Sequence, residues 1–288
     1  MIPVQFEYAR PESLKGVFEE LAGAPGAALL AGGQALVPAL TLGLSAPPKL
    51  VDLRRVSELR GIASGPPWRI GAMTTLDEIA TAAGVRQQLP AVLEAIEAIT
   101  DPAVRNRSTL GGNLATRPAM TDLPAVVMAL EATLRLVGPD GPRNVATAAF
   151  FEGADGAGLR RDEVIAGVDL IGAPASAYER IRNSASGYAL CGVAAVVETS
   201  SAGKVTRCRV AVTAAVPRPS RLRTVEAALE GQSATPERVA AAAQQVVRER
   251  LDFVSDFAAS GEYRAQLTAV LAERALLRAI ERGAPRAR

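Results

Sequence analysis

The chain has 288 residues, with 32 basic and 30 acidic side chains and no histidine. At roughly 150 residues per domain, this length predicts two or three domains. Apolar residues make up 49% of the chain and charged residues 22%, a globular composition that excludes disorder and collagen-like repeats. The near balance of charge gives no argument for a nucleic-acid partner.

The side chains that carry most metal and acid–base chemistry are scarce. Imidazole is the usual general base and the commonest metal ligand, so the missing histidines leave both roles to other groups. The two cysteines, Cys191 and Cys208, cannot alone hold an iron–sulfur cluster or a four-ligand zinc site. Redox chemistry in this chain would therefore need an organic cofactor.

The first part of the chain predicts short helices and strands. Apolar residues at helical spacing indicate a helix over 12–22, closed by Gly23: Leu14, Val17, Phe18 and Leu21. Residues 27–31 and 50–53 are apolar runs that predict strands, and the first leads into a Gly-Gly pair. Residues 21–48 carry no charge, but their glycines and prolines exclude a membrane helix.

The middle of the chain predicts further alternating elements. In order, we expect a strand over 69–73, a helix capped by Thr75, a helix from Pro90, a helix from about Asp122, a turn over 139–142, a loop over 153–158 and a strand over 162–170.

The last part begins after a linker over 172–176. Strands over 192–198 and 205–216 are separated by hairpin spacing. Two long helices are predicted over 236–251 and 262–282, the second with an apolar stripe formed by Tyr263, Leu267, Val270, Leu271, Leu277 and Ile280. We place domain boundaries near 55 and 174, giving units over 1–55, 56–174 and 175–288, in an α+β fold.

The first candidate site is a Gly-Gly pair at the end of a predicted strand, in the segment Ala31, Gly32, Gly33, Gln34, Ala35 and Leu36. Glycines there allow a sharp turn and bring backbone amides close to a ligand. Successive amides bind an anion without a charged side chain, so a pyrophosphate would fit. The alternative is a plain tight turn.

A second Gly-Gly pair repeats this chemistry, in the segment Thr109, Leu110, Gly111, Gly112 and Asn113. The hydroxyl and amide side chains on either side add hydrogen-bond donors for phosphate or flavin atoms. Asp122 follows, where its carboxylate would accept a ribose hydroxyl or cap the next helix. Neither segment matches the dinucleotide fingerprint or the P-loop, which disfavours a Rossmann or NTPase function.

Weaker candidates have structural alternatives. Cys191 could lie near a cofactor, although a buried structural thiol is favoured. Arg105 and Arg107 precede the second Gly-Gly pair and either screen an anion or face solvent. The glycine-rich residues 153–158 lack a strand–helix context and are interpreted as a surface loop.

The two Gly-Gly pairs together resemble the FAD-binding medium subunit of the molybdenum hydroxylases, which include carbon monoxide, quinoline and xanthine dehydrogenases. The resemblance extends over nearly the whole chain. The matching segments are Phe6–Pro11, Ala31–Ala35, Leu50–Leu53, Ile70–Thr75, Val104–Asn113, Asp122–Ala125, Gly187–Leu190 and Glu262–Arg264.

The resemblance implies two small FAD-binding α+β subdomains of the PCMH type and a C-terminal α+β subdomain with a β-hairpin sheet and long helices. Both Gly-Gly segments would hold the FAD pyrophosphate. Asp122 would correspond to the family's carboxylate after the second segment, and Tyr188 to a tyrosine that flanks the isoalloxazine ring. Arg180 and Arg182 are the nearest basic residues before that tyrosine.

The resemblance also implies a division of labour. Substrate would be oxidised at a molybdopterin cofactor on a large subunit, and electrons would pass through [2Fe-2S] clusters on a small subunit to FAD and then to an external acceptor. We expect a cytoplasmic heterotrimer, doubled by two-fold symmetry, with no catalytic residue and no metal on this chain. The alternatives are a self-contained flavin oxidoreductase and a nucleotide-binding scaffold without redox activity.

Overall fold

The computed structural model describes residues 5–116, 120–153 and 158–284. Its first region is a three-stranded parallel sheet in the order β1-β3-β2. The elements are β1 (Glu7–Ala9), α1 (Leu14–Gly23), β2 (Ala28–Leu30), α2 (Leu36–Thr41) and β3 (Lys49–Asp52). The helix predicted over 12–22 is confirmed, and Ser13 caps it by accepting a hydrogen bond from the Gly16 amide at 3.2 Å.

The middle region is a five-stranded antiparallel sheet in the order β4-β5-β8-β6-β7, accompanied by short helices. Its elements are β4 (Ile62–Ala63), β5 (Trp68–Gly71), α3 (Leu76–Thr81), α4 (Val85–Gln88), α5 (Pro90–Glu97), α6 (Pro102–Arg105), α7 (Leu110–Ala115), α8 (Leu123–Ala129), β6 (Thr133–Gly138), β7 (Gly141–Ala146), α9 (Thr147–Glu152) and β8 (Val164–Leu170). Helix α9 follows β7 directly and packs beside it.

The helix starts predicted at Thr75 and Pro90 in the middle region are confirmed. Thr75 forms a capping box with Glu78, and Pro90 begins α5. The predicted turn over 139–142 connects β6 to β7, two strands that the sequence did not indicate. Within the predicted loop over 153–158, residues 154–157 lie outside the described residues.

The last region is a four-stranded antiparallel sheet in the order β12-β11-β10-β9, packed against helices. Its elements are β9 (Ser176–Arg182), β10 (Ala189–Thr199), β11 (Val205–Thr213), β12 (Ser220–Arg221), α10 (Arg223–Leu229), α11 (Pro236–Ala243) and α12 (Gly261–Gly283). The predicted hairpin is confirmed as β10 and β11. Strand β10 is buried on both faces, with Ala194 and Val196 in the core of the middle region and Val193 and Ala195 in the core formed with α12.

The helix predicted over 236–251 is too long. α11 ends at Ala243, and residues Gln244–Arg248 form a 3₁₀ helix. The Gln245 carbonyl, which a continuous α-helix would pair with residue 249, instead accepts a hydrogen bond from the Thr224 hydroxyl at 2.9 Å. A tertiary contact therefore competes with the helical hydrogen bond at this position.

The stripe predicted on α12 is partly wrong. Leu271 is buried and Leu267, Leu277 and Ile280 are partly buried, but Tyr263 is 49% exposed and Val270 is 42% exposed. The buried face consists largely of alanines: Ala269, Ala272, Ala275 and Ala279. Small side chains allow the helix to lie close to β9 and β10, which explains why alanine and not the larger residues faces the sheet.

A charged network joins the middle region to the last one. Glu94 of α5 accepts hydrogen bonds from Arg278 and Arg282 of α12 and, at 2.8 Å, from the Tyr178 amide of β9. Arg278 also binds Glu179. These contacts add directional bonds to the shared apolar core and fix the orientation of the last sheet on the middle region.

Candidate functional site

The first Gly-Gly pair lies at the carboxyl edge of the parallel sheet, directly after β2. Gly33 has φ +79°, a left-handed conformation that glycine adopts without strain. Ala35 precedes α2 and provides no side-chain cap, so it leaves the first amides of this helix without that acceptor. No described residue of α2 is buried, although all six residues are uncharged. This loop therefore presents backbone amides and apolar surface that the rest of the chain does not cover.

The second Gly-Gly pair has a different structure, because it forms part of the short helix α7. The Thr109 hydroxyl caps this helix by accepting a hydrogen bond from the Gly112 amide at 3.2 Å. Gly111 is buried, and a Cβ built on it would lie 2.7 Å from the Ala72 Cβ. Leu110 and Asn113 are also buried, whereas Gly112 is half-buried. The protein therefore fixes this segment by packing and capping.

The first Gly-Gly segment lies against the second one and against the backbone that leads into it. A Cβ built on Gly32 would lie only 2.0 Å from the Arg107 carbonyl oxygen and 3.0 Å from the Ser108 Cα. A Cβ on Gly112 would lie 3.5 Å from the Ala31 Cβ. Glycine at position 32 is thus required by the close approach of two chain segments, and this approach brings together residues that are about 80 positions apart in the sequence.

Tyr188 lies on the third side of this junction. It belongs to the loop between β9 and β10, its ring is 36% exposed, and its hydroxyl lies 3.5 Å from the Gln34 carbonyl oxygen. The loop is ordered by Asn183, whose side chain accepts hydrogen bonds from the Ala185 and Ser186 amides. The last region of the chain therefore reaches the first Gly-Gly pair.

Asp122 is placed inside the protein. Its carboxylate is 3% exposed and accepts hydrogen bonds from the Tyr178 hydroxyl at 2.6 Å and from Arg180 at 3.0 Å. Burial raises the pKa of Asp122, while the Arg180 guanidinium and the Tyr178 hydroxyl act in the opposite direction. Burial together with the adjacent carboxylate raises the pKa of Tyr178 well above its ordinary value.

The alternative function of Asp122 as a helix cap is wrong. Its side chain makes no capping hydrogen bond. Instead, the Asn113 side chain accepts a hydrogen bond from the Leu123 amide at 3.3 Å, and the Thr121 hydroxyl donates to the Asn113 carbonyl at 2.8 Å. Asn113 therefore connects α7 to the start of α8, a role that spacing alone did not indicate.

The arginines that the sequence analysis singled out differ in exposure and in their partners. Arg180 is buried against Asp122, whereas Arg182 is exposed at the end of β9. Arg105 donates to the Ile99 carbonyl at 2.7 Å, so it stabilises the local backbone. Arg107 is exposed, and its own carbonyl is the group that approaches Gly32. The preference for a structural thiol at Cys191 is confirmed, because this residue is buried with its sulfur 3.3 Å from the Thr268 hydroxyl.

Sequence reasoning missed a buried carboxylate at the edge of the first sheet. Asp52 is paired across the sheet with Leu30 and has no exposed surface. The Tyr8 hydroxyl donates to it at 2.5 Å and the Arg54 side chain at 2.9 Å. Burial alone would raise the pKa of Asp52, but these hydrogen bonds hold it below its usual value. An aspartate inside the apolar run over 50–53 was the available signal.

Two kinds of feature are absent from the described part of the chain: a membrane-spanning helix and a metal-binding cluster. Over residues 5–116, 120–153 and 158–284, no helix is long and apolar enough to cross a membrane. Within the same ranges, no group of three or more histidine, cysteine, aspartate or glutamate side chains is arranged to hold a metal ion.

Comparison with known proteins agrees with this geometry. Residues 4–170 match the family described as FAD binding domain in molybdopterin dehydrogenase, and residues 176–279 match the CO dehydrogenase flavoprotein C-terminal domain. The carbon monoxide dehydrogenase medium chain of Hydrogenophaga pseudoflava is 35% identical over 285 residues, covering 96% of this chain and 97% of that protein.

Two further similarities extend over the whole chain. A subunit alpha of the 6-hydroxypseudooxynicotine dehydrogenase complex of Paenarthrobacter nicotinovorans is 32% identical, covering 99% of this chain and 98% of that protein. A solved carbon monoxide dehydrogenase from Hydrogenophaga pseudoflava, lacking the Mo-pyranopterin moiety, superposes with a TM-score of 0.92 and 35% identity, covering 99% of this chain and 100% of the other. With the expected α+β architecture also confirmed, this chain belongs to the family of FAD-binding medium subunits of molybdenum hydroxylases and is an oxidoreductase subunit.

Proposed function

We propose that this chain carries electrons, through a bound FAD, from a cluster-bearing partner to an external acceptor. The observation that supports this most directly is the close approach of the two Gly-Gly segments, with the Tyr188 hydroxyl beside Gln34 of the first one, in a chain that matches a medium subunit over nearly its whole length. FAD supplies the electron carrier that the side chains of this protein lack. The protein binds it, orients it and sets its surroundings.

We propose that the first Gly-Gly segment, Ala31–Leu36, binds the pyrophosphate through its amides. All its residues are half-buried, Gly33 is left-handed and α2 has no capping side chain, so these groups are available to an anion. The uncharged surface of α2 fits a ligand with an apolar ring system. These properties fit FAD and need no cationic side chain.

The second segment has a different role in this proposal. Gly112 lies at the contact with the first loop and the buried Thr109 caps α7 through the Gly112 amide, and we assign the cofactor contact of Thr109–Asn113 to these two residues. Leu110, Gly111 and Asn113 are buried and position them. Asp122 accepts hydrogen bonds from Tyr178 and Arg180 and so orients β9 on α8. Arg182, two residues further along β9, is exposed to solvent.

We also propose the partners and the division of the chain. A large molybdopterin subunit would oxidise the substrate, a small [2Fe-2S] subunit would deliver electrons, and two heterotrimers would pair by two-fold symmetry. The three sheets support units over 1–55, 56–174 and 175–288. Free thiols at both cysteines support a cytoplasmic complex.

The test is anaerobic mixing of the purified chain with candidate substrates while the visible flavin absorption is recorded. We expect one FAD for each chain and no bleaching until the large and small subunits are added. Rapid bleaching by a substrate without partners would instead identify a self-contained flavin oxidoreductase. A colourless protein that takes up no FAD would identify a nucleotide-binding scaffold.

A further inference from the structure

Arg264 is a buried cation that binds two backbone carbonyls and one carboxylate. It lies in the first turn of α12 and is 4% exposed. Its Nη1 donates to the Leu190 carbonyl at 2.6 Å and to the Ala214 carbonyl at 3.1 Å, and its Nη2 donates to Asp256 at 2.7 Å. Within the described residues, its Nε has no hydrogen-bond partner. Burying a charge is costly, and an apolar residue would pack here at lower cost.

The Leu190 carbonyl belongs to a β-bulge. The β9–β10 register shifts between Ala189, which pairs with Arg182, and Cys191, which pairs with Ile181. Leu190 is therefore the extra residue of β10, and the pairing of β10 with β11 begins only at Gly192. A bulge redirects the chain that leads into it and leaves local backbone groups without ladder partners. Arg264 supplies the donor for one of these groups.

The second carbonyl held by Arg264 lies on the adjacent strand. Ala214 follows β11 and has φ +66°, a conformation that non-glycine residues rarely adopt. Gly192 pairs with Thr213, so Leu190 and Ala214 lie at the same end of the sheet. One planar guanidinium thus fixes two neighbouring strand ends, which a flexible ammonium would do with less directional control.

This end of the sheet carries Tyr188, two residues before Leu190. The Tyr188 carbonyl accepts a hydrogen bond from the Asn183 amide at 2.8 Å, which closes the loop, and the Tyr188 hydroxyl faces the Gln34 carbonyl. We propose that Arg264 is a positioning residue: by holding the bulge at Leu190, it sets the place of the Tyr188 ring beside the flavin site. That Tyr188 acts on the flavin rests on the proposed function. That Arg264 fixes the position of Tyr188 rests on the contacts alone.

The experiment uses the full chain in two forms, with and without FAD. Arg264→Met removes the donors and keeps most of the apolar stem. Arg278→Met is the matched control, because it removes another ion-pairing arginine from the same helix, whose partners are Glu94 and Glu179. Arg264→Lys retains the charge without the planar fork and tests partial rescue.

The flavin-free arm measures amide hydrogen exchange. We expect Arg264→Met to speed exchange across residues 183–190 by at least about tenfold relative to Arg278→Met, since opening of this loop would no longer break the Leu190 contact. Arg264→Lys should lie between the two. Equal exchange in this loop for Arg264→Met and Arg278→Met would overturn the placement role, whether or not the chain binds FAD.

The flavin-loaded arm measures the midpoint potential and the rate at which reduced flavin reacts with oxygen. Arg264→Met should change both in the same direction as Tyr188→Ala, and should add nothing in a Tyr188→Ala background. Additive effects, or no change with FAD still bound, would overturn the link to Tyr188. Failure of the wild-type chain to bind FAD would reject the proposed function and leave the exchange result to decide the placement.

Arg264→Met could fail to fold, and Asp256→Asn then replaces it. This variant weakens one of the three contacts of Arg264 and keeps the side-chain oxygen that accepts from the Ala258 and Ala259 amides. We expect a smaller increase in exchange, confined to the same loop. Exchange that increases over all of α12 and not over 183–190 would contradict the proposal.

Discussion

The same dipeptide, Gly-Gly, serves two different structural purposes in the two halves of this site. At positions 32 and 33 it leaves a half-exposed, uncapped loop before a helix with no buried residue. At positions 111 and 112 it starts a capped helix packed on Ala72. The second segment is completed by the protein's own packing and capping, whereas the first is left half-exposed, and we propose that the cofactor covers it. Because Gly32 is pressed against the backbone that leads into the second segment, we expect a substitution there to affect folding, whereas a substitution at the half-buried Gly112 should affect cofactor binding.

The largest effect is expected for Gly32→Ala, which would test whether the contact between the segments is obligatory. The new Cβ would meet the Arg107 backbone carbonyl oxygen at 2.0 Å, a distance that forces the backbone on one side to move. We expect a loss of about 3 kcal/mol in the free energy of unfolding, measured in urea. Gly23→Ala is the control, because nothing lies within 4 Å of its Cβ position. A stability equal to that control would show that the two segments are not held in contact.

Gly112→Leu should separate binding from folding most clearly. Its Cβ would lie 3.0 Å from the Thr109 hydroxyl and 3.5 Å from Ala31, in a half-exposed position with room for the rest of the side chain. We expect a folded protein without flavin, as judged by circular dichroism and by the FAD content after gel filtration. Gly23→Leu should keep its FAD. Stoichiometric FAD in Gly112→Leu would show that the pyrophosphate is bound elsewhere.

A smaller effect is expected for Thr109→Ala, which removes the cap of the second segment. Loss of an N-cap costs about 1 kcal/mol, so the urea midpoint should fall modestly and FAD should dissociate faster. Thr109→Ser retains the hydroxyl and should restore both quantities. If Thr109→Ala and Thr109→Ser behave alike, the hydroxyl does not stabilise α7.

The smallest effect on stability is expected for Tyr188→Ala, since this ring is 36% exposed. FAD should remain bound, while the flavin potential and the rate of reaction with oxygen change because an aromatic neighbour has been removed. Tyr188→Phe keeps the ring and should behave like the wild type. An unchanged potential and oxygen rate in Tyr188→Ala would remove this residue from the site.

Short-range signals predicted much of the fold. Thr75 and Pro90 act on the backbone within one helical turn, so their caps were visible in the sequence. The apolar runs at 27–31 and 50–53 likewise predicted β2 and β3. The shortened helix α11 could not be predicted, because its end depends on Thr224, which is distant in the sequence from Gln245.

The same distinction applies to the site. Both Gly-Gly pairs and Tyr188 are found from motifs, and the structure brings them together. The buried partners were missed: the sequence predicted no strand over Tyr178, and Arg264 was named only within the matching segment Glu262–Arg264. Their importance arises from neighbours 56 and 74 positions away, Asp122 and Leu190, which no local pattern reports. Residues 117–119, between Thr116 and Met120, lie outside the described residues.

The burial of both cysteines affects how they would react with peroxide. Burial raises the pKa of Cys191 to about 11 and that of Cys208 to about 12, so both stay protonated at neutral pH. Peroxide oxidises the thiolate and not the thiol, and it must first reach the sulfur. A reduced flavin that leaks electrons to oxygen makes peroxide beside its own polypeptide. Because both sulfurs are protonated and buried, peroxide formed at the flavin would find no exposed thiolate at either cysteine.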